Sequence, residues 1–151
     1  MIKMSRIVCP TDFSPTSSHA VDYAATMAKH FGAELVLLHV IESMDYPLRS
    51  FGMSSAIQHI QDEIQTRAME SLKNRAAKVE ETTPGITPKL AVLNGEVHTA
   101  TMECADSENA DLIVIGTHGY TGITHALLGS TAEKVVRLSK CPVLTVRKHD
   151  G

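Results

Sequence analysis

The chain has 151 residues, 43% of them hydrophobic and 21% charged, with a formal net charge of −3. That length fits one domain spanning 1–151 with a substantial core, and the mild acidity argues against a general nucleic-acid surface. No apolar run approaches the roughly 20 residues of a membrane span, and the opening MIKMSRIVCP lacks the apolar stretch of a secretory signal.

Arg6 to Cys9 reads as a short strand that breaks at Pro10. Ser14 is placed to cap a helix whose first residue is Pro15. Ala20, Val21, Ala24, Ala25, Ala28 and Phe31 form that helix's apolar stripe, and Gly32 stops it. Ala33 to Ile41 is a second strand, continuously apolar at its centre, as expected when both faces are covered. Glu42 to Gly52 reads as irregular; a long segment of this kind near a crevice either acts as a lid or is simply mobile, and the sequence leaves both open. From Ser54 to Glu80, apolar residues at steps of three and four (Ile57, Ile60, Ile64, Ala68, Leu72, Ala76, Val79) predict one long amphipathic helix. Pro88 to Leu93 is a third strand, Asn94-Gly95 a turn, and Val97 to Ala105 a third helix. Ala110 to Ile115, Ser130 to Leu138 and Pro142 to Arg147 supply the fourth strand, fourth helix and fifth strand. Strands alternating with helices predict an α/β fold: a five-stranded parallel, doubly wound sheet with right-handed crossovers and helices on both faces.

The richest stretch is Gly116 to Ser130, GTHGYTGITHALLGS, between the fourth strand and its helix. Open α/β sheets place phosphates at such glycine-bearing loops. Gly116 and Gly119 permit positive φ and let a ligand approach the backbone. Ser130 to Glu133 has capping-box spacing. Donors from the turn at Gly116–Gly119 and from the helix after Gly129 would converge on one anion, whose identity the physics leaves open. If strands one and four are neighbours, Asp12 shares that crevice. Asp12 would repel phosphate and so suits ribose hydroxyls, an adenine amino group or Mg²⁺; equally, it is a turn residue bonding nearby backbone N–H groups. Ser130 and Thr131 read either as phosphate donors or as capping residues, and His118, beside Thr117, as a loop-lining or an exposed histidine.

Eight histidines show no HxxxH pair and no Cys/His ligand spacing, so no metal site is expected. Met44 and Met53 read as loop packing. Cys9, Cys104 and Cys141, odd in number and without CxxC spacing, read as reduced core cysteines of a cytoplasmic protein. A P-loop, a GxGxxG after strand one and a GxSxG elbow are all missing.

Four segments together resemble the universal stress protein family: IVCPTDFS, LVLLHVIE, the Asn94-Gly95 turn, and ADLIVIGTHGYTG…LLGSTAEKVVRLSKCPVLTVR. Gly116-x2-Gly119-x9-Gly129-Ser130 is similar to the nucleotide-binding signature of its ATP-binding-motif subgroup. The resemblance implies sheet order 3-2-1-4-5, with strands one and four adjacent. It implies ATP in the crevice, with Pro10, Thr11 and Asp12 on the adenosine and the Val40 backbone on adenine. Gly116, Thr117, His118, Gly119, Gly129, Ser130 and Thr131 would surround ribose and phosphates. It further implies a homodimer through strand five, Pro142 to Arg147, and a regulatory role in the cytoplasmic stress response through an unidentified protein partner. Tyr120 and His125 stand where family members often carry Arg or Lys. No Lys or Arg lies between Gly116 and Ser130. A triphosphate would then rest on backbone N–H groups, hydroxyls, Mg²⁺ and histidine, and AMP and ADP stand as alternatives. Two other functions fit the same fold: a partner-binding dimer independent of nucleotide, and a slow ATPase in which Asp12 matters.

Overall fold

A computed structural model describes residues 1–42, 54–118 and 128–148. The chain runs β1 (Arg6–Pro10), α1 (Pro15–Phe31), β2 (Glu34–Ile41), α2 (Ser54–Thr82), β3 (Lys89–Asn94), α3 (Val97–Ser107), β4 (Leu112–Gly116), α4 (Ser130–Leu138) and β5 (Val143–Val146). The predicted elements occur in the predicted order, with ends shifted by a residue or two. All strand pairs are parallel and the sheet order is β3-β2-β1-β4-β5. The most apolar strands therefore lie centrally, as a sheet covered on both faces requires.

Side chains alternate along β2 and split the core in two. Leu35 and Leu37 pack with Ala20, Ala24 and Ala28 of α1 and with Leu72 and Val79 of α2. Val36, Leu38 and Val40 face the other way, with Ala100 and Cys104 of α3 and Val135 of α4. Alanines on α1 let that helix lie close to the strands, and each large side chain fully buried on this sheet contributes about 1.5–3 kcal/mol. Gly32 ends α1 in the left-handed conformation, φ 66°, and its N–H reaches the carbonyls of Ala28 and Lys29. That is the predicted stop. Arg75 of α2 donates to the Ser18 carbonyl at 2.7 Å and to Asp22 at 2.8 Å, tying α2 to α1.

Two stripe residues behave otherwise than the periodicity predicts. Ile60 and Phe31 are 45% and 50% exposed. Ile57, about one turn nearer the start of α2, is 5% exposed, so Ile60 does not lie beyond the covered part of the helix; at about 100° per residue it sits at the margin of the face set by Ile57, Ala68, Leu72 and Val79. Phe31 is the last residue of α1. Among the described residues no helix is long and apolar enough to cross a membrane. Met44, Met53 and most of the irregular segment after Glu42, and likewise Tyr120 and His125, lie outside the described residues.

Candidate functional site

The β1–β4 pairing, Ile7↔Leu112 and Val8↔Ile113, brings the two turn-rich loops to one edge of the sheet. There they bound a cleft of about 520 Å³. Pro10, Thr11 and Asp12 line it from the β1 side and Val40 from the end of β2. Gly116, Thr117 and His118 line it from β4, and Gly129, Ser130 and Thr131 from the start of α4. Gly119, the remaining residue expected at the site, lies outside the described residues.

The loop after β1 is built by side chains. Ser14 caps α1, its Oγ accepting from the Ser17 N–H at 3.2 Å, with Pro15 in the first turn as expected. Asp12 Oδ1 accepts from the Ser14 N–H at 2.9 Å and the Ser17 hydroxyl at 2.8 Å. Asp12 is thus a turn-forming residue and a cleft-lining one at once; the two readings do not compete. Thr11 is buried, its Oγ1 3.0 Å from Ser17 Oγ and accepting from the Phe13 N–H at 3.0 Å.

The loop after β4 is built by close approach. Gly116 does not take the positive φ that the sequence suggested. A Cβ there would stand 3.1 Å from Thr16 Cγ2 and 3.3 Å from the Ser17 nitrogen, so the glycine lets the first turn of α1 settle onto the end of β4. Gly129 donates its N–H to the Thr117 carbonyl at 2.6 Å, and a Cβ on it would meet that same oxygen at 2.9 Å, closer than packed atoms tolerate. The two ends of the 118–128 segment are thereby clasped together. Thr117 N–H in turn donates to Val146 of β5 at 3.0 Å.

The capping box expected at Ser130 does not form. The N-cap is Gly129, which has no side chain to cap with, and Ser130 is the first helical residue. Glu133 N–H closes the first helical bond onto the Gly129 carbonyl at 2.9 Å. The leading N–H groups of a helix lack intrahelical partners and carry the positive end of its dipole. At α4 they start at the cleft, which Gly129, Ser130 and Thr131 line, and the N-cap itself supplies no side-chain oxygen to them.

Sequence reasoning also missed lining residues: Ser17, His39, Glu42, Val97, Ile115, Leu128 and Ala132. Alternation along β2 and the helical rise from Pro15 were signals for His39 and Ser17; Glu42, just past β2, carried no motif. The described lining holds two carboxylates, Asp12 and Glu42, two histidines, His39 and His118, and no Lys or Arg. His118 Nδ1 lies 3.2 Å from Thr117 Oγ1, and its Nε2 is buried with no hydrogen-bond partner. Thr117 is only 3% exposed, so this contact orients the ring and does not present a nucleophile. No group of three or more metal-ligating side chains occurs among the described residues. The cysteines are free. Burial raises Cys9 to about 12 and Cys104 to about 11, so neither supplies a thiolate near neutral pH.

Comparison with known proteins gives the architecture its family. Residues 3–147 match the model of the universal stress protein family. Universal stress protein MJ0531 of Methanocaldococcus jannaschii is 35% identical over an alignment covering 95% of this chain and 82% of that protein. The solved structure of MJ0577, from the same organism, superposes with a TM-score of 0.81 at 27% identity, covering 99% of this chain and 100% of that one. A universal stress protein solved in complex with cAMP superposes at 0.72 with 26% identity, covering 98% of this chain and 100% of that one. Matched along nearly its whole length in sequence and in fold, the chain belongs to the universal stress protein family.

Proposed function

We propose that this protein is an adenine-nucleotide-binding regulator of the cytoplasmic stress response. It holds ATP in the cleft with Mg²⁺, with AMP and ADP as alternatives. The observation that carries this reading is the uncapped start of α4 at Gly129, pressed against Thr117 where any side chain would collide. A bare helix start beside a glycine contact is how backbone donors reach a phosphate. The solved relative with cAMP adds that a protein of this fold takes an adenine nucleotide. Asp12, beside the adenosine end, suits ribose hydroxyls; with Glu42 it makes the cleft acidic. Several phosphates there need Mg²⁺ to offset their charge, since the described lining supplies no Lys or Arg.

Regulation works through a homodimer. β5 is an edge strand, and an apolar edge is disposed to pair. Val136 and Leu138 of the adjacent α4 are 45% and 52% exposed, which extends that apolar surface. Thr117 N–H on Val146 links the cleft to this edge, so a bound nucleotide can bias the dimer and the partner surface it presents.

The first experiment is on freshly purified protein: heat denaturation, chromatography of any released nucleotide, then calorimetric titration of stripped protein with ATP, ADP and AMP, each with and without Mg²⁺. Stoichiometric binding is expected, with ATP dependent on Mg²⁺. Absence of heat with all three would overturn the nucleotide reading. Sedimentation at micromolar concentration is expected to give a dimer, and a monomer would remove that part. Sustained ATP turnover lost in Asp12→Ala would reclassify the protein as an enzyme.

A further inference from the structure

Resting on that reading of the cleft, we propose that His39 is its positioning residue, holding the β1–α1 loop in the strained turn that presents Asp12. β1 makes its last pair with β2 at Pro10↔Leu38. One residue on, Thr11 is fixed on three sides. Its N–H donates to the Leu38 carbonyl at 2.8 Å, its hydroxyl lies 3.0 Å from Ser17 Oγ, and its carbonyl lies 2.8 Å from His39 Nδ1. A carbonyl only accepts, so His39 carries its proton on Nδ1.

The chain then does something a bulky residue rarely does. Phe13 takes φ 65°, one of two non-glycine residues with positive φ among those described. Such a conformation persists only where its surroundings hold it. Here the holders are visible. The Phe13 N–H donates to Thr11 Oγ1 at 3.0 Å, and the Phe13 ring packs on the His39 ring with centroids 4.6 Å apart and planes 32° apart. His39 thus touches the loop before and after Asp12, through a hydrogen bond on one side and a ring contact on the other. With those contacts in place, Asp12 Oδ1 meets the Ser14 N–H and the Ser17 hydroxyl. His39 acts on ligand binding through Asp12, by fixing the backbone that carries the carboxylate.

The test is a double-mutant cycle on the full chain with a conservative rescue. His39→Leu removes donor and ring; His39→Asn keeps an N–H near the position of Nδ1. Titration with ATP·Mg²⁺ and with AMP is expected to show about a tenfold loss for His39→Leu, with most of it recovered in His39→Asn. In an Asp12→Ala background, His39→Leu is expected to cost nothing further. Additive losses, or no rescue, would overturn the proposal. Amide hydrogen exchange supplies a readout that needs no nucleotide. Exchange at Phe13 and Ser14 should accelerate in His39→Leu and return towards wild type in His39→Asn. Unchanged exchange in His39→Leu sinks the positioning role. Wild-type protein that binds no nucleotide, with exchange behaving as described, sinks the functional reading and leaves the positioning role standing.

Discussion

Two helices begin at the same edge of this sheet, and they begin differently. α1 is closed by side chains: Ser14 caps it, Asp12 folds back over its first residues, and Ser17 ties the two together. α4 begins at a glycine that has nothing to cap with. The first spends its Ser17 N–H on the Ser14 side chain. The second keeps its leading N–H groups at the cleft. The contrast teaches that donors at a helix start are available to a ligand only if local side chains decline to use them, and that glycine is how a sequence declines. The same edge therefore has one side that builds the site and one that receives.

The comparison can be broken most forcefully at Gly129. Gly129→Ala puts a methyl 2.9 Å from the Thr117 carbonyl and disrupts the 2.6 Å clasp. Overpacking of this kind costs about 1–3 kcal/mol of stability. Nucleotide affinity is expected to fall on the order of a hundredfold, because several backbone donors move together. Calorimetry against denaturant melts separates the two effects.

Next in size is the strand beneath the capped helix. Cys9 is fully buried in β1, and burial raises its thiol to about 12 from an ordinary 9.0. The folded state thus holds this proton more tightly than the unfolded one. Its contribution is complete below pH 9 and is lost as the pH rises towards 12. Denaturant melts at pH 8 and pH 10.5 should show wild type losing more stability than Cys9→Ala over that interval, and parallel curves would refute the shift.

Ser14→Ala probes the capped start directly. It is expected to lower stability by about 1 kcal/mol, the usual value of a cap. Nucleotide affinity should change by less than about threefold, because Asp12 keeps its bond to the Ser14 backbone. A large loss of affinity would mean that both helix starts receive the ligand. The smallest effect is expected far from either. Arg67–Glu63 is an exposed pair on α2 at 2.7 Å. Arg67→Ala should shift stability by less than about 0.5 kcal/mol, the range of exposed helix pairs, and leave affinity alone.

Much of the fold was legible because its signals are local. Alternation of strand and helix, Pro15 just inside a helix and Gly32 just past one each carry their own physics. The cleft was legible in outline, since its glycines and small polar residues cluster after β1 and β4. Three things were not. Ser130 looked like a cap because its spacing to Glu133 is right, yet position in the helix depends on Gly129 folding back to Thr117, a contact across the loop. Gly116 looked like a turn glycine, but its reason is the approach of α1, distant in sequence. His39 looked unremarkable because its partner is a backbone carbonyl, which leaves no trace in residue identity. Periodicity likewise placed Ile60 inside, although it lies at the margin of the buried face of α2.

The sheet order also sets how this chain comes together. β1 lies at the centre, and its two neighbours are β2, which follows within the first 41 residues, and β4, which begins only at Leu112. During synthesis the β1–α1–β2 unit can form early. The other edge of β1, apolar and unpaired, then waits until β4 leaves the ribosome, roughly 70 residues or several seconds later at ordinary elongation rates. A long-range parallel pairing of this sort forms slowly, and an open edge invites the wrong partner meanwhile. Chaperone dependence and aggregation on overexpression should accordingly track variants that weaken β4, such as Ile113→Ala, more than equally destabilising changes in β2.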